Sequence, residues 1–422
     1  MSPISILIVA DRFRPTGGGL AEYTHQVARH LHRRGDRVTV LSVPSAGADD
    51  FDRECGYEVL RADCPLTWLS PEVQVVGCLP EWSRVIGYVA RTRKADCILS
   101  TTPFPMGLFC ATAAHRMDIP YIAFVEGREV SMPSALAQRP IQKDYGLLRA
   151  DSVICPCQYT LDRIHELGVA EERAVTILPG VDTEEFRPTR KGLEIRRQIG
   201  LNGHPMVLTL GRLVERKGVD RVIAGLKIVL NGIPNAVYVI AGTGPMEREL
   251  RRQAQEIPEL PDHVLFLGAV ADQDRVDLYN ACDIFAMPCR ELADGDVEAS
   301  GVTFLEANAC GKPVVAGRSG GALDAVIDGY TGLFVDPWDR DDVAYALSML
   351  LTDRDFARTL GENGRRRVNE QLTWAKVTER IRDEMVRVVE ARRGSGGGDP
   401  RWREAIHLQG HDKGGSRLSY PT

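Results

Sequence analysis

Short apolar segments alternate along the chain with longer amphipathic ones. The apolar segments are rich in valine and isoleucine, whereas the segments between them repeat apolar residues at helical spacing. This alternation predicts parallel strands covered by helices on both faces, an α/β fold. The first series of predicted strands covers residues 4–9, 38–43, 97–100, 121–125, 152–155 and 175–178. The second series covers residues 206–210, 237–241, 264–266, 284–287, 313–316 and 333–335.

The two series predict two domains, as expected for a chain of 422 residues. A polar segment over residues 182–203 separates them and is interpreted as the hinge region. We expect an N-terminal domain over residues 1–188 and a C-terminal domain over residues 189–372. A final helix is predicted over residues 373–393. Residues 394–422 begin with glycines and serine and lack hydrophobic periodicity, so this tail is expected to be disordered.

The most informative segment contains two glutamates, Glu298 and Glu306. Glu298 belongs to an acidic loop, and a largely apolar helix is predicted to begin after it. The free amides of Gly301, Val302 and Thr303 at that helix start would form a seat for a phosphate group. Glu306 would then be placed to accept hydrogen bonds from ribose hydroxyls, and Glu298 would face a group beyond the phosphates. The spacing predicts a sugar-nucleotide site; an ordinary helix-surface glutamate and a solvated loop acid are the alternative.

A second segment supplies positive charge. After the strand predicted over residues 206–210, a loop bounded by glycines carries Arg212 and Lys217. A guanidinium can neutralise a diphosphate through a planar two-point contact, and an ammonium can do so as a point charge. We expect both to be exposed loop cations that contribute little to folding stability. They are candidate catalytic and donor-binding residues.

Two glycine-rich loops receive different interpretations. Residues 17–19, three glycines, join the first predicted strand to a helix, at the sheet edge where open α/β folds bind ligands. We interpret Gly17 and Gly18 as donor contacts, with a simple tight turn as the alternative. Residues 242–247 partly match a dinucleotide fingerprint, but glutamate stands where the third glycine belongs. A dehydrogenase is therefore disfavoured.

Together these segments resemble the retaining glycosyltransferases of family 4, whose signature is two glutamates separated by seven residues, as at Glu298 and Glu306. The resemblance covers most of the chain and includes residues 179–188 and 329–337. It implies two doubly wound, Rossmann-like domains that face a central cleft, the GT-B architecture, with the final helix returning to the first domain. It also implies transfer of a hexose, from GDP-mannose or a UDP-hexose, to a hydroxyl of a glycolipid, polysaccharide or small molecule, as in bacterial mannosyltransferases.

The resemblance also implies roles for the residues above. Arg212, Lys217 and the helix-start amides would hold the diphosphate, Glu298 would orient the sugar, and Glu306 would bind the ribose. No metal or other cofactor is required in that arrangement. Residues 294–296, Asp-Gly-Asp, match a metal-binding pattern of a different glycosyltransferase architecture, and we expect them to bind no metal.

One position departs from the family pattern. After the strand predicted over residues 121–125, family members carry a histidine followed by glycine near the transferred sugar, whereas this chain has Glu126. His115, on the preceding predicted helix, is no substitute. An ionised glutamate accepts hydrogen bonds from sugar hydroxyls but cannot donate as a neutral imidazole does. We treat Glu126 as a catalytic candidate that faces the sugar; a brace of the loop, against Arg128 or another cation, is the alternative.

Composition and charge limit the possible binding partners of the protein and its cellular compartment. The net charge of −6, without a long basic tract, disfavours a nucleic-acid partner. The ten cysteines include no Cys-x-x-Cys pair, which is typical of buried thiols in a reducing compartment such as the cytoplasm. No apolar run reaches the ~20 residues needed to span a bilayer. The first helix is rich in basic residues, among them His25, Arg29 and His30, and forms either a solvated face or a peripheral contact with the inner face of a membrane that holds a lipid-linked acceptor.

Two other functions stay open from the sequence. A sugar-nucleotide epimerase on the same two-domain plan would need acids and a histidine arranged for proton transfer, a pattern that this sequence does not show. A nucleotide-sugar-binding protein with impaired catalysis is suggested only by Glu126. Release of nucleoside diphosphate in response to an acceptor separates a transferase from both.

Overall fold

The structure is a computed structural model that describes residues 2–63, 73–131 and 143–394. Residues 395–422, most of the tail that the sequence predicts to be disordered, lie outside the described residues. Within the described ranges, no helix combines the length and the apolar character needed to cross a membrane.

The first sheet consists of parallel strands covered by helices on both faces. The strands are β1 (Ser5–Ala10), β2 (Arg37–Ser42), β3 (Glu58–Arg61), β4 (Cys97–Ser100), β5 (Tyr121–Phe124), β6 (Ser152–Cys155) and β7 (Ala174–Thr176). Their order across the sheet is β3-β2-β1-β4-β5-β6-β7. Every residue of β1 is buried, as expected for a strand that lies between two helical layers.

The helices of this half lie between the strands along the chain, as the crossover connections of a parallel sheet require. They are α1 (Gly19–Arg33), α2 (Ala48–Glu54), α3 (Val73–Thr92), α4 (Leu108–Met117), α5 (Arg128–Ser131) and α6 (Gln158–Glu166). Shorter helical turns cover Pro103–Gly107, Asp144–Leu148 and Glu171–Arg173.

The second sheet repeats the plan with strands β8 (Met206–Leu210), β9 (Val237–Ala241), β10 (Val264–Gly268), β11 (Ile284–Met287), β12 (Val314–Gly317) and β13 (Gly332–Val335). Their order is β10-β9-β8-β11-β12-β13. The helices are α7 (Lys191–Gln198), α8 (Val219–Gly232), α9 (Glu247–Glu256), α10 (Asp272–Ala281), α11 (Val302–Ala309), α12 (Ala322–Ala325), α13 (Arg340–Thr352) and α14 (Arg354–Gln371). A short turn covers Glu215–Lys217.

The last helix, α15 (Trp374–Gly394), packs against α1 and β6 of the first domain. Its residues Trp374, Ile381 and Met385 share a core with strand and helix residues of the first domain. The guanidinium of Arg382 also binds the carboxylate of Asp36 at 2.7 Å, with both side chains at most 5% exposed. This buried ion pair fixes α15 against the end of the loop before β2.

The predicted fold class is confirmed: two parallel sheets, each flanked by helices, form a two-domain α/β structure. The sequence pattern does not predict strand β3, because it is a partly buried edge strand with Glu58 and Arg61 at its ends and contains no continuous apolar run. Each sheet also has a topological switch point, where strand order reverses, beside β1 in the first and β8 in the second. Ligands of open α/β sheets bind at the carboxyl ends of the strands there.

Candidate functional site

The candidate site lies in the cleft between the domains. A cavity of about 320 Å³ there is lined by residues of both. The first domain contributes Gly17, Gly18 and Glu126, and the second contributes Val302 and Glu306. The structure therefore brings together residues that the sequence analysis selected from distant segments.

Lys217 and Glu298 form a buried ion pair on the second domain. The ammonium nitrogen of Lys217 lies 2.7 Å from a carboxylate oxygen of Glu298, and both side chains are at most 10% exposed. Burial alone would raise the pKa of Glu298, but Lys217, Arg216 and the Gly301 amide outweigh it, so this pKa lies below its ordinary value. Glu298 is therefore held ionised. The expectation that Lys217 is an exposed cation is wrong, because the loop folds its side chain inward against this carboxylate.

The other predicted cation, Arg212, is exposed as expected. Within the described part of the chain its guanidinium makes no hydrogen bond or ion pair, so it is free to meet a ligand. Sequence reasoning missed Arg216, whose guanidinium lies 3.3 Å from Asp296 and 3.8 Å from Glu298. Its position one residue before Lys217 was the available signal.

Arg290 contacts the loop of residues 211–218, which carries Arg212, Arg216 and Lys217 and is called the cation loop below. Its backbone amide donates to the carbonyl of Arg216 at 2.9 Å. Its guanidinium, only 4% exposed, pairs with Asp220 at 3.0 Å and lies 3.7 Å from Glu215. The same group lies 4.5 Å from the ring centre of Trp338. Arg290 thus places positive charge beside Glu215 in the cation loop and beside Asp220, which follows the loop.

Helix α11 begins directly after Gly301, as the sequence predicts. Gly301 has a φ of 60°, and a Cβ there would lie 2.7 Å from the Cβ of Ala325, so glycine is required. The Gly301 amide donates to Glu298 at 3.3 Å. The amides of Val302 and Thr303 lie in the first turn of α11, where no preceding residue of the helix supplies a carbonyl to accept their hydrogen bonds. Two of the three predicted phosphate-seat amides therefore remain for a ligand.

Glu306 is held by two side chains of α10 that the sequence did not indicate. The Nη2 atom of Arg275 donates to both carboxylate oxygens, at 2.6 and 2.7 Å, and the Tyr279 hydroxyl donates to Oε2 at 2.8 Å. Glu306 is 7% exposed yet lines the cavity together with Arg275. No sequence signal links these residues, since their meeting depends on how two helices pack.

Glu126 lies at the cleft surface, exposed, and faces the second domain. Partial loss of solvent around its carboxylate raises the pKa of Glu126. Repulsion from Asp11 and Glu298 raises this pKa further, and attraction to Arg12 and Arg216 opposes the rise. Glu126 also lines the interdomain cavity together with Val302 and Glu306 of the second domain. The sugar-facing role of Glu126 therefore stays a prediction, and the side chain of Arg128, the alternative partner, is outside the described part.

Glu129 holds the loop that carries Glu126. Its carboxylate accepts hydrogen bonds from the amides of Glu126 and Gly127, the second at 3.0 Å. Burial, joined by repulsion from Glu126, raises the pKa of Glu129 to about 7. Gly127 has a φ of 128°, and a Cβ there would overlap Ala299, the residue after Glu298. Glycine is therefore needed where the two domains meet.

A second cavity of about 330 Å³ lies within the first domain. It shares the glycine loop of residues 17–19 and Glu126 with the interdomain cavity. Asp11, Arg12 and Phe104 line its remaining wall. Because the two cavities share these residues, they lie next to each other beside the loop of residues 17–19.

The competing motifs have structural explanations. Gly242 packs against the cation loop, since a Cβ there would lie 1.9 Å from the carbonyl oxygen of Gly211. Asp296 pairs with Arg216, and its amide donates to Asp294 at 3.0 Å. In the described ranges, no three His, Cys, Asp or Glu side chains are grouped so that they could hold a metal ion.

The first helix is less basic than its sequence suggests. His25 hydrogen-bonds to the Tyr57 hydroxyl at 2.7 Å, and burial lowers its pKa to about 4. His30 hydrogen-bonds to the carbonyl of Gln26, and burial lowers its pKa as well. Both histidines are neutral at pH 7, so the positive charge of this face comes from arginines.

Comparison with known proteins identifies the family. Residues 17–185 match the glycosyltransferase family 4 domain, and residues 193–367 match the glycosyl transferases group 1 domain. A GDP-mannose-dependent α-(1-6)-phosphatidylinositol monomannoside mannosyltransferase of Mycobacterium tuberculosis is 33% identical, over 90% of this chain and 97% of the relative. A mannosylfructose-phosphate synthase of Agrobacterium fabrum is 29% identical over 86% of this chain and 85% of the relative.

Solved structures agree on the fold. Anabaena HepE in complex with UDP superposes with a TM-score of 0.76 at 19% identity, covering 91% of this chain and 100% of that protein. Sucrose-phosphate synthase from Thermosynechococcus elongatus gives 0.71 at 22% identity, covering 92% and 100%. With the relatives above, these comparisons show that the chain belongs to glycosyltransferase family 4 and is a glycosyltransferase of the GT-B fold.

Proposed function

We propose that this enzyme transfers a mannosyl group from GDP-mannose to a hydroxyl of a lipid-linked acceptor, with retention of the anomeric configuration. The observation that carries the proposal is the likeness, over 97% of its length, to a relative named for GDP-mannose and a phosphatidylinositol monomannoside. A UDP-hexose is the second candidate donor, because the Anabaena neighbour was solved with UDP. That neighbour is only 19% identical, so GDP-mannose is favoured.

In this proposal the diphosphate lies at the start of α11. The amides of Val302 and Thr303 point outward there, and Arg212 and Lys217 supply positive charge from the facing loop. Lys217 is already oriented by Glu298 at 2.7 Å. Preorganised donors of this kind stabilise the charge that develops on a leaving diphosphate. These groups carry the charge without a metal ion.

The sugar and the ribose lie on opposite sides of the diphosphate. Glu298, ionised and held by Lys217, faces the sugar ring, and Glu306 binds the ribose. Gly17 and Gly18 approach from the first domain, where the absence of side chains lets the backbone come close to the donor. Glu126 completes the sugar's surroundings on that side.

The reaction is a front-face displacement at the anomeric carbon. The bond from C1 to the β-phosphate oxygen breaks as the bond from C1 to the acceptor oxygen forms on the same face. The acceptor's hydroxyl proton passes to the departing diphosphate, so nucleoside diphosphate is the second product. The groups around Lys217 act by stabilising that leaving group.

The acceptor approaches from the cavity within the first domain. This cavity shares residues 17–19 and Glu126 with the donor side, so a hydroxyl placed there would meet the anomeric carbon. Its acidic wall can accept hydrogen bonds from a polyol or sugar headgroup. The lipid portion would stay in the membrane, so we place the enzyme at the inner face of a membrane as a peripheral protein, without a nucleic-acid partner.

A coupled assay tests the proposal. Purified enzyme is mixed with GDP-mannose or UDP-glucose, with and without vesicles that contain phosphatidylinositol monomannoside, and release of nucleoside diphosphate is followed. The proposal predicts acceptor-dependent release of GDP and a mannosylated lipid product. Acceptor-independent turnover of the donor would indicate an epimerase or hydrolase, and donor binding without turnover would indicate a catalytically impaired protein.

A further inference from the structure

Helix α6 of the first domain contacts the second domain at two acidic side chains. The hydroxyl of Tyr159 donates a hydrogen bond to Oε1 of Glu291 at 2.7 Å. One residue earlier, the backbone amide of Gln158 donates to Oδ2 of Asp324 at 3.0 Å. This amide lies in the first turn of α6, where a carboxylate is favourable because the free amides carry partial positive charge. Two neighbouring residues of one helix therefore hold two segments of the other domain.

Both of these segments determine where Glu298 lies. Glu291 and Glu298 belong to one loop, which connects β11 to α11. Asp324 belongs to α12, and Gly321, the residue before this helix, donates its amide to the carbonyl of Glu298 at 2.7 Å. A displacement of either segment would therefore move the backbone of Glu298.

Arg163 supports the contact between Tyr159 and Glu291 from the next turn of α6. Its guanidinium carbon lies 5.3 Å from the ring centre of Tyr159, and its Nη2 atom lies 3.6 Å from Oε1 of Glu291. The side chains of Arg163 and Glu291 are 36% and 41% exposed, so their ion pair contributes little energy. The hydrogen bond from the Tyr159 hydroxyl is therefore the contact that fixes the geometry.

We infer that α6 positions Glu298 from across the cleft through Glu291, and that Tyr159 is a positioning residue for sugar transfer. The second domain itself holds the loop at Asp296, through Arg216, and at Glu298, through Lys217. Tyr159 adds a contact that forms only while the two domains lie together, so it couples the domain arrangement to the orientation of Glu298. The inference rests on the role that the proposed function gives to Glu298.

Removal of the Tyr159 hydroxyl tests the inference. In Tyr159→Phe, kcat with the donor that the wild type uses should fall about fivefold or more, as expected for loss of a hydrogen bond to a charged group. The Kd of the free nucleoside diphosphate should be unchanged, because the cation loop, the start of α11 and Glu306 all belong to the second domain. Calorimetry and steady-state kinetics measure the two quantities.

Variants of Glu291 separate the hydrogen bond from other effects. Glu291→Ala should lower kcat as much as Tyr159→Phe does, and the double variant should lose no more than either single variant, since all three lack the same contact. Glu291→Gln keeps an oxygen that can accept from the Tyr159 hydroxyl, so it should retain most of the turnover. Tyr345→Phe is the matched control, because this tyrosine of α13 is 66% exposed, and it should behave as the wild type in every measurement.

An unchanged kcat in Tyr159→Phe, additive losses in the double variant, or an equal loss of nucleoside diphosphate affinity would overturn the inference. A lowered melting temperature with an unchanged kcat would also overturn it, because the contact would then serve stability alone. A wild type that uses a donor other than GDP-mannose would contradict the proposed function and leave this comparison intact. A wild type that turns over no donor would overturn both.

Discussion

The ammonium of Lys217 lies 2.7 Å from a carboxylate oxygen of Glu298, and both side chains are buried. The cation assigned to the diphosphate and the acid assigned to the sugar are therefore one electrostatic unit. A change in either residue alters the charge of the other's surroundings, so their variants must be interpreted as a pair.

Lys217→Met should lose both activity and stability. Transfer should fall by about a hundredfold or more, because a preorganised contact to the leaving group is removed. The free energy of unfolding should fall by about 3 kcal/mol, since Glu298 would stay buried with only the more distant Arg216, at 3.8 Å, as its counter-charge. Steady-state kinetics and urea unfolding measure the two effects.

Arg212→Ala is the matched variant in the same loop. Because Arg212 is exposed and pairs with no described residue, its removal should reduce transfer comparably while leaving unfolding within about 0.5 kcal/mol of the wild type. Arg252→Ala, which removes an exposed arginine of α9, is a control and should change neither the transfer rate nor the free energy of unfolding. Wild-type turnover in Lys217→Met or Arg212→Ala would refute the phosphate seat.

Arg290 should act through the acids that it neutralises. In Arg290→Met, Asp220 would keep only Arg221, at 3.2 Å, and Glu215 would lose its contact with Arg290. The added negative charge beside the cation loop should weaken diphosphate binding and turnover by about tenfold. The double variant Arg290→Met/Asp220→Asn should recover part of that loss, with a coupling of about 1–3 kcal/mol. Strictly additive effects in this double-mutant cycle would show that Arg290 serves packing alone.

Glu129 should give the folded protein a specific pH dependence. Its pKa is raised from 4.5 to about 7, so the folded state holds its proton more tightly than the unfolded chain does. Stability from this group is therefore complete below about pH 4.5 and is lost as the pH rises towards 7. Glu129→Gln should lack this decline. Melting temperatures of both proteins between pH 5 and pH 8 check it, and parallel curves would contradict it.

Glu126→Gln distinguishes a sugar contact from a loop brace. The substitution keeps the shape but replaces one acceptor oxygen by a donor, so hydroxyls bound there would be mispaired at a cost of about 1–3 kcal/mol. We expect the rate or the donor preference between GDP-mannose and UDP-glucose to change by about tenfold, with the melting temperature preserved. A lowered melting temperature with an unchanged donor profile would assign Glu126 to the loop instead.

The sequence predicts the elements whose signal is local. Strands such as β1 and β8 are continuous apolar runs, and Gly301 marks the start of α11. The loops that form the site can therefore be located from the sequence, because each follows a predicted strand. The partners of the site residues are not local. Arg275 meets Glu306 only because the folded domain brings side chains of α10 and α11 within hydrogen-bond distance, and Lys217 is buried only because its loop folds onto Glu298.

In the proposed function, Glu306 belongs to the nucleoside side of the donor site and Glu298 to the sugar side. The most direct test is the Kd of free GDP, measured by calorimetry for the wild type, Glu306→Gln and Glu298→Gln, beside the kcat of each with GDP-mannose. Glu306→Gln should weaken GDP binding by about tenfold or more. Glu298→Gln should bind GDP at least as tightly as the wild type, because it releases the charge of Lys217 towards the diphosphate, and yet should lose turnover. An equal loss of GDP affinity in both variants would contradict the account.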